Sequence, residues 1–367
     1  MKDLFDQFKI LLSFWNILKS NGFPWENQVI RDFEKKLSDY LEVQYVLGVA
    51  SGTDALILAL KACGIKPGNE VIVPALSFFS TAGAVAWVGA KPIFVDIEPT
   101  SFNIDPQKIE KAVTPKTKAV IAVHLNGRMA DMEAIRQVAD RKLLPVIEDA
   151  AHAFGSKYKG KPIGHYGDLA CLSFNPTKLF GGYGDGGVVI TQNAKLAEKI
   201  SLLRTYGSPR YQEFGINHPI IGTASRLSQF QAAILDIKLQ SVEHVIEKTR
   251  QNWFLYSKLL DGVGDLVLPS SPPEYFINGY RFPVLSKKRD GLRIALKKQG
   301  FDARMQYAVP LPYFGAFRYL GHKKGDFPNA EKVAAEVLCL PTDYALPEKE
   351  IKRAARIIKE HFTSRKE

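Results

Sequence analysis

The chain contains, between Asp168 and Gly187, the stretch Asp168-Leu-Ala-Cys-Leu-Ser-Phe-Asn-Pro-Thr-Lys178-Leu-Phe-Gly-Gly-Tyr-Gly-Asp-Gly-Gly187. Its apolar first half is typical of a buried strand, and the small, turn-forming residues around Lys178 are typical of a tight loop. A second segment, Val146-Ile-Glu-Asp149-Ala-Ala-His152, begins with apolar residues and contains the acidic residue Asp149, 29 residues before Lys178. Because ligands bind beyond the carboxyl ends of parallel strands, the two segments predict one crevice that holds an amine and a carboxylate.

Length and composition describe a soluble globular protein with a large and a smaller domain. The chain has 367 residues, of which 46% are hydrophobic and 24% are charged. That length exceeds one ordinary core. Cys63, Cys171 and Cys339 have neither metal-binding nor disulfide spacing. We therefore expect no metal site and a reducing cytoplasm.

The net charge of +11 comes from 49 basic and 38 acidic residues. The basic residues are spread along the chain, and no zinc-finger spacing or RNA-binding aromatic signature accompanies them. This distribution argues against nucleic-acid binding and favours anionic substrates.

Residues 1–24 predict a separate N-terminal helix. Apolar residues recur there at helical spacing between charged ones. The segment is too charged to be a signal peptide and too short to span a bilayer. We expect an amphipathic helix that packs on the body or on a partner subunit, with membrane-surface attachment as the less favoured alternative.

Helical and strand-like segments then alternate, which predicts an α/β fold with a mostly parallel sheet. We predict a large domain at residues 25–245 and a small C-terminal α/β domain at residues 246–367. One long helical segment from Ser228 to about Asp261 is expected to connect the two.

Each motif has an ordinary structural explanation when taken alone. Ser51-Gly52-Thr53 could be a helix cap or an anion site at a helix N-terminus. Asp149 could be a cap or a metal ligand, and His152 a buried histidine satisfied by its neighbours. Their order along the chain, followed by the Lys178 loop, is what makes the combination specific.

In that order the chain resembles the DegT/StrS-type aminotransferases, which use pyridoxal 5′-phosphate (PLP) and act mostly on keto sugars. The resemblance implies the aspartate-aminotransferase fold, known as fold type I. It implies that Lys178 is the Schiff-base lysine and that Asp149 pairs with the pyridinium nitrogen. It also implies that His152 stacks on the ring and that Gly52, Thr53 and Ser173 bind the phosphate.

Two stretches depart from the family pattern. Gly222-Thr-Ala224-Ser-Arg226-Leu places alanine where many members have an asparagine that reaches the neighbouring subunit's cofactor. Either Ser225, Asn217 or a water substitutes for it, or that contact between subunits is absent. Tyr307-Ala-Val-Pro-Leu-Pro312 replaces a Tyr-Pro-x-Pro-x-His sequence near the substrate. Phe78 and Tyr307 are the candidate substrate residues, and Trp87 is a weaker one.

The leading hypothesis is a cytoplasmic, homodimeric PLP-dependent aminotransferase with shared active sites. It would move an amino group, with glutamate as the expected donor, onto a keto sugar that is expected to be nucleotide-linked, in amino-sugar or polysaccharide biosynthesis. Keto-cyclitol amination or deoxysugar dehydration on the same scaffold is one alternative. A non-catalytic PLP-binding regulator is the other.

Overall fold

The computed structural model describes residues 2–19, 28–208 and 217–363, with side chains from residue 7 onward. Its helices are α1 (Lys2–Lys19), α2 (Gln28–Leu41), α3 (Gly52–Ala62), α4 (Phe79–Trp87), α5 (Pro106–Ala112), α6 (Met132–Arg141), α7 (Ala194–Arg204), α8 (Gln229–Leu239), α9 (Val242–Leu260), α10 (Arg289–Lys298), α11 (Pro328–Glu336) and α12 (Glu348–Thr363). Short 3₁₀ helices span Leu125–Gly127, Leu311–Tyr313 and Gly315–Leu320. None of the helices in these ranges combines the length and the apolar run needed to cross a membrane.

The strands form one large sheet and two small ones. They are β1 (Tyr45–Val49), β2 (Glu70–Pro74), β3 (Lys91–Val95), β4 (Thr117–Val123), β5 (Val146–Asp149), β6 (Lys157–Tyr158), β7 (Lys161–Pro162), β8 (Leu169–Ser173), β9 (Gly187–Thr191), β10 (Tyr275–Phe276), β11 (Phe282–Leu285) and β12 (Val337–Leu340). The large sheet has the order β1-β9-β8-β5-β4-β2-β3. All its strand pairs are parallel except those made by β9, which is antiparallel to both neighbours. The predicted α/β fold with a mostly parallel mixed sheet is confirmed.

The large sheet is buried on both faces, as its nearly continuous apolar strands require. One face packs against α3 and α4, and the other packs against α2 and α6. The C-terminal half adds the antiparallel pair β11–β12, which shares a third core with α9, α10 and α12. The division at residue 245 stays a prediction, and it falls inside α9.

One predicted element differs from the structure. The long helical segment after Ser228 is two helices, and α8 ends at Leu239 before α9 begins at Val242. No proline or glycine marks the break. The two helices pack on different partners, because α8 contacts α1 and α2 whereas α9 contacts α12. Tertiary packing therefore sets the break, and local propensity does not.

Helix α1 packs on α8 through Ile10 and Phe14, and its Ile17 is also buried. Its opposite face exposes Leu11, Leu12, Trp15 and Leu18. Residues 20–24 of the predicted N-terminal segment lie outside the described residues.

The start of α3 lies close to the end of β8. A Cβ atom added to Gly52 would lie 2.6 Å from the Cβ of Ser173. Real Cβ atoms do not approach so closely, so a side chain at position 52 would push the two elements apart. The glycine thus permits the contact between two predicted phosphate ligands.

We expect Gly52→Ala to destabilise the protein by about 1–3 kcal/mol, the usual cost of overpacking a tight contact. Gly315→Ala is the matched control, because its added methyl group would meet no atom within 4 Å. Urea unfolding monitored by circular dichroism measures both changes. Equal stability of the two variants would contradict the packing argument.

Candidate active site

The carboxyl edge of the large sheet brings the predicted site residues together. Asp149 is the last residue of β5 and Ser173 is the last residue of the neighbouring parallel strand β8. A cavity of about 480 Å³ opens at this edge. All eight predicted site residues line it: Gly52, Thr53, Phe78, Asp149, His152, Ser173, Lys178 and Tyr307. We call it the active-site cavity.

Asp149 is buried and one of its oxygens is firmly held. The hydroxyl of Thr81 donates to Oδ2 at 2.7 Å, and Ser77 Oγ lies 2.7 Å from the same hydroxyl. Oδ1 has only a long contact of 3.4 Å with the backbone N–H of Ala151. Burial raises the pKa of Asp149, while the hydrogen bonds and the charge of Lys178 act against that rise. One oxygen is thus oriented by the protein and the other is available to a donor in the cavity.

Lys178 lies at the end of a turn that begins at Asn175. Its backbone N–H donates to the carbonyl of Asn175 at 2.9 Å, and the side chain of Asn175 is bonded in turn to Asp185 and Thr177. Burial lowers the pKa of Lys178 to about 8, although the charge of Asp149 opposes the shift. A substantial fraction of the amine is therefore neutral and nucleophilic near neutral pH.

His152 is buried beside Tyr280, with ring centroids 4.8 Å apart. Burial, followed by the charges of Lys178 and Arg281, lowers its pKa well below the usual value. The imidazole is therefore neutral at physiological pH, and it can cover an aromatic ring without adding charge. Asn278 fixes its backbone by donating to the carbonyls of His152 and Phe154, both at 2.9 Å.

The start of α3 has the features of an anion-binding site, and we call it the anion seat. Ser51 caps the helix by accepting the N–H of Asp54 at 3.1 Å. Gly52, Thr53 and Ser173 lie around this N-terminus, where unpaired N–H groups and the helix dipole favour a phosphate. Thr53 Oγ1 lies 2.7 Å from Ser80 Oγ, so Ser80 joins the same hydroxyl cluster.

Two aromatic side chains form one wall of the active-site cavity. Phe78 is 55% exposed, and its ring centroid lies 6.0 Å from that of Tyr307. Both remain substrate candidates by position. Trp87 lies at the far end of α4 and does not line the cavity.

Sequence reasoning missed several residues in or beside the cavity. Thr81, Ser80, Tyr280, Arg304 and Gln306 come from segments without a chemical motif. Thr81 and Ser80 are at the start of α4, directly after β2, so strand-end position was the available signal. Tyr280 precedes β11 and is tied to the lysine loop, since its hydroxyl donates to the carbonyl of Thr177 at 2.9 Å.

The Ala224 departure has a clear consequence for Ser225. Ser225 is buried, its hydroxyl donates to Asp54 at 2.7 Å and it accepts the N–H of Ala50 at 3.2 Å. These bonds commit the hydroxyl within its own subunit. Ser225 is therefore a poor substitute for the missing asparagine, whereas Asn217 is exposed.

The described site and fold place the chain among known proteins. The model of the DegT/DnrJ/EryC1/StrS aminotransferase family matches residues 9–359. The chain belongs to this family.

Relatives across the family cover nearly the whole chain. A pleiotropic regulatory protein of Geobacillus stearothermophilus is 42% identical over 374 residues, with 99% of this chain and 98% of that protein covered. A dTDP-3-amino-3,4,6-trideoxy-α-D-glucose transaminase of Streptomyces venezuelae is 39% identical, with 90% and 85% covered.

Solved structures of the family share the fold. S. venezuelae DesV, in complex with a ketimine intermediate, superposes with a TM-score of 0.92 at 36% identity, covering 96% of this chain and 94% of that one. A solved neighbour at 31% identity, from Bacillus subtilis, holds the cofactor PMP. The family's solved members thus carry the phosphorylated pyridine cofactor that the sequence motifs predict.

The residues of this chain fit that cofactor. Asp149 offers a free carboxylate oxygen from a buried position, His152 offers a neutral ring, and Lys178 offers an amine of lowered pKa. The α3 N-terminus lies against Ser173 at Gly52, and Gly52, Thr53 and Ser173 all line the active-site cavity.

In the cofactor-free protein, competitive acetylation of Lys178 should rise with pH through a midpoint near 8. An unburied lysine would titrate near 10.4. Asp149→Asn should move the midpoint lower, because the negative charge of Asp149 stabilises the ammonium form. Peptide mass spectrometry after labelling measures the midpoint. A midpoint near 10, or one that Asp149→Asn does not move, would contradict the assignment.

Proposed function

We propose that this protein is a PLP-dependent aminotransferase that moves an amino group from glutamate onto the keto group of a nucleotide-linked sugar. One observation carries the proposal. The buried carboxylate of Asp149 and the largely buried amine of Lys178 line the same cavity as an aromatic wall and an anion seat. Relatives named as transaminases of dTDP- and UDP-linked sugars support the choice of acceptor.

Each side chain has a definite task in this proposal. When bound, PLP supplies an aldehyde that carries the amino group and a ring that takes up electrons. Oδ1 of Asp149 would hold a proton on the ring nitrogen, and His152 would cover one ring face. Gly52, Thr53 and Ser173 would bind the phosphate. The amine of Lys178 would take the proton from the amine-bearing carbon of the donor and pass it to the cofactor carbon that carried the aldehyde, which the lowered pKa of Lys178 favours.

The direct test uses borohydride and a lysine variant. Holoenzyme treated with borohydride should carry the reduced cofactor on the peptide that contains Lys178. We expect Lys178→Ala to abolish conversion of nucleotide-linked keto sugars to amino sugars, followed by product mass spectrometry with glutamate as donor. Lys35→Ala, at an exposed position of α2, is the control. Wild-type rates in Lys178→Ala would rule out the proposal.

We expect the hydroxyl of Thr81 to control the pKa of Asp149 and, through it, the rate of the reaction. We expect Thr81→Val to slow the glutamate half-reaction by about tenfold or more, because a hydrogen bond to a charged group is lost. The acid limb of the pH profile should also move to higher pH, since the Thr81 bond lowers the pKa of Asp149. Thr81→Ser keeps the hydroxyl and should restore both properties. Stopped-flow absorbance of the bound cofactor measures them.

A regulatory role is the second candidate. The Geobacillus stearothermophilus relative, at 42% identity, is named a pleiotropic regulatory protein. A regulator could keep the cofactor pocket without turnover. Failure of glutamate and a panel of other amino acids to convert bound PLP to PMP would favour this candidate over the enzyme.

We also propose a homodimer with shared active sites in the cytoplasm. Phe78, on the wall of the active-site cavity, and Ile221, in the loop before α8, are exposed apolar residues. Exposed apolar residues of this kind are typical of a surface that contacts another subunit. Cys63, Cys171 and Cys339 are unpaired, as a reducing compartment allows. An active monomer in light scattering would contradict the shared-site arrangement.

A further inference from the structure

A second cavity is also lined in part by Lys178. Its volume is about 620 Å³. We call it the arginine cavity. It is lined by the lysine loop, the α8–α9 region and three C-terminal segments, at residues 280–281, 300–304 and 341–346. Thr177, Lys178, Tyr280 and Arg304 line both cavities. The reactive amine is therefore in the wall between them.

The arginine cavity has more positive than negative side chains. Its positive side chains are those of Lys178, Lys238, Arg281 and Arg304, and its negative side chains are those of Asp302 and Asp343. Arg304 is neutralised by Asp302, whose Oδ2 accepts from its Nε at 2.7 Å. Lys238 donates to the carbonyl of Gly181 at 2.6 Å. Asp343 is occupied as a turn cap that accepts the N–H of Ala345 at 2.9 Å.

Arg281 and Lys238 are cations of this cavity that have no carboxylate partner among the described residues, and of the two only Arg281 has a buried donor atom without an acceptor. Among the described residues no carboxylate lies within ion-pair distance of its guanidinium, and its buried Nε has no hydrogen-bond partner. The guanidinium carbon lies 5.0 Å from the ring centroid of Tyr280. Arg281 also acts on the reactive amine: burial is the main cause of the lowered pKa of Lys178, and the charge of Arg281 lowers it further. A buried donor of this kind normally has an acceptor.

The position of Arg281 is fixed relative to Lys178. It lies directly before β11, whose residues Phe282–Leu285 pair with β12. Its neighbour Tyr280 is bonded to the carbonyl of Thr177, next to the lysine. The guanidinium is thus held on a sheet rather than on a free loop, which favours a binding role.

We propose that the arginine cavity binds a carboxylate of the amino-acid donor and that Arg281 is its main ligand. This inference rests on the proposed transamination. The buried Nε of Arg281 lacks a hydrogen-bond partner, and the planar fork of its guanidinium suits a carboxylate. A nucleotide diphosphate would face the carboxylates of Asp302 and Asp343 in the same lining. The keto sugar is then left to the active-site cavity, with Phe78 and Tyr307.

The test measures binding and turnover separately on holoenzyme. Calorimetry with glutarate, a dicarboxylate that lacks an amine, probes the carboxylate site alone. We expect Arg281→Gln to weaken glutarate binding by about tenfold or more, as loss of a charged hydrogen-bonded contact predicts. Arg281→Lys keeps the charge but loses the planar fork, so its affinity for glutarate should fall between those of the wild type and Arg281→Gln. This intermediate affinity would also show that the loss in Arg281→Gln does not come from misfolding. Arg356→Gln, at a 69% exposed surface position, is the matched control.

Kinetics distinguish the two anionic substrates. In Arg281→Gln the half-saturating concentration of glutamate should rise by about tenfold, while that of the keto-sugar nucleotide stays within about twofold. An amine donor without a carboxylate, such as 1-phenylethylamine, should be used equally well by both proteins. Wild-type protein that fails to bind glutarate, or a variant that binds it normally, would overturn the proposal. Selective loss of UDP and dTDP binding would also overturn it and would assign the cavity to the nucleotide.

The two proposals fail in different ways. Glutarate binding that depends on Arg281, in a protein that aminates no keto sugar, would keep the carboxylate site and reject the acceptor. Amination of keto sugars with an unchanged glutamate requirement in Arg281→Gln would keep the function and reject the site.

Discussion

The structure is organised around the burial of a carboxylate and an amine at one edge of a sheet. Asp149 and Lys178 both lose solvation there, and burial shifts the pKa of each toward its neutral form. Their mutual attraction opposes both shifts. The balance leaves a lysine with a pKa of about 8, which can be both a base and a nucleophile near neutral pH. Surface positions could not provide that balance, because water would screen the pair and restore ordinary pKa values.

The strand that ends at Asp149 needs support of its own. Successive residues of a strand point to opposite faces, so Glu148 points away from Asp149 and into the protein. Burial would raise the pKa of Glu148, but the His124 ring, at 2.9 Å, and the N–H groups of Gly167 and Gly164 outweigh it and lower the pKa. His124 Nδ1 accepts the N–H of Ala130 in turn. This second buried carboxylate fixes the end of β5, and hence the position of Asp149.

Sequence was sufficient for the parts of the site that follow strands. Lys178, Asp149, His152 and Ser173 come from two apolar runs that end in polar residues, and their order identifies the cavity they line. The hydrogen bond between Thr81 and Asp149 joins residues 68 positions apart, and no local pattern encodes it. Arg281 and Tyr280 reach the lysine only because β11 pairs with β12. The break between α8 and α9 depends likewise on which helix each packs against.

The wall shared by the two cavities has a consequence for specificity. A single amine has to serve two substrates in turn, so both must reach Lys178. The aromatic wall of Phe78 and Tyr307 belongs to the active-site cavity, and the charge of Arg281 belongs to the arginine cavity. These walls come from separate segments of the chain. With the proposed donor site, changes in the aromatic wall would alter the acceptor while the charge of Arg281 stays in place. The pKa of Lys178 depends on its burial first and then on the charges of Asp149 and Arg281, one from each cavity.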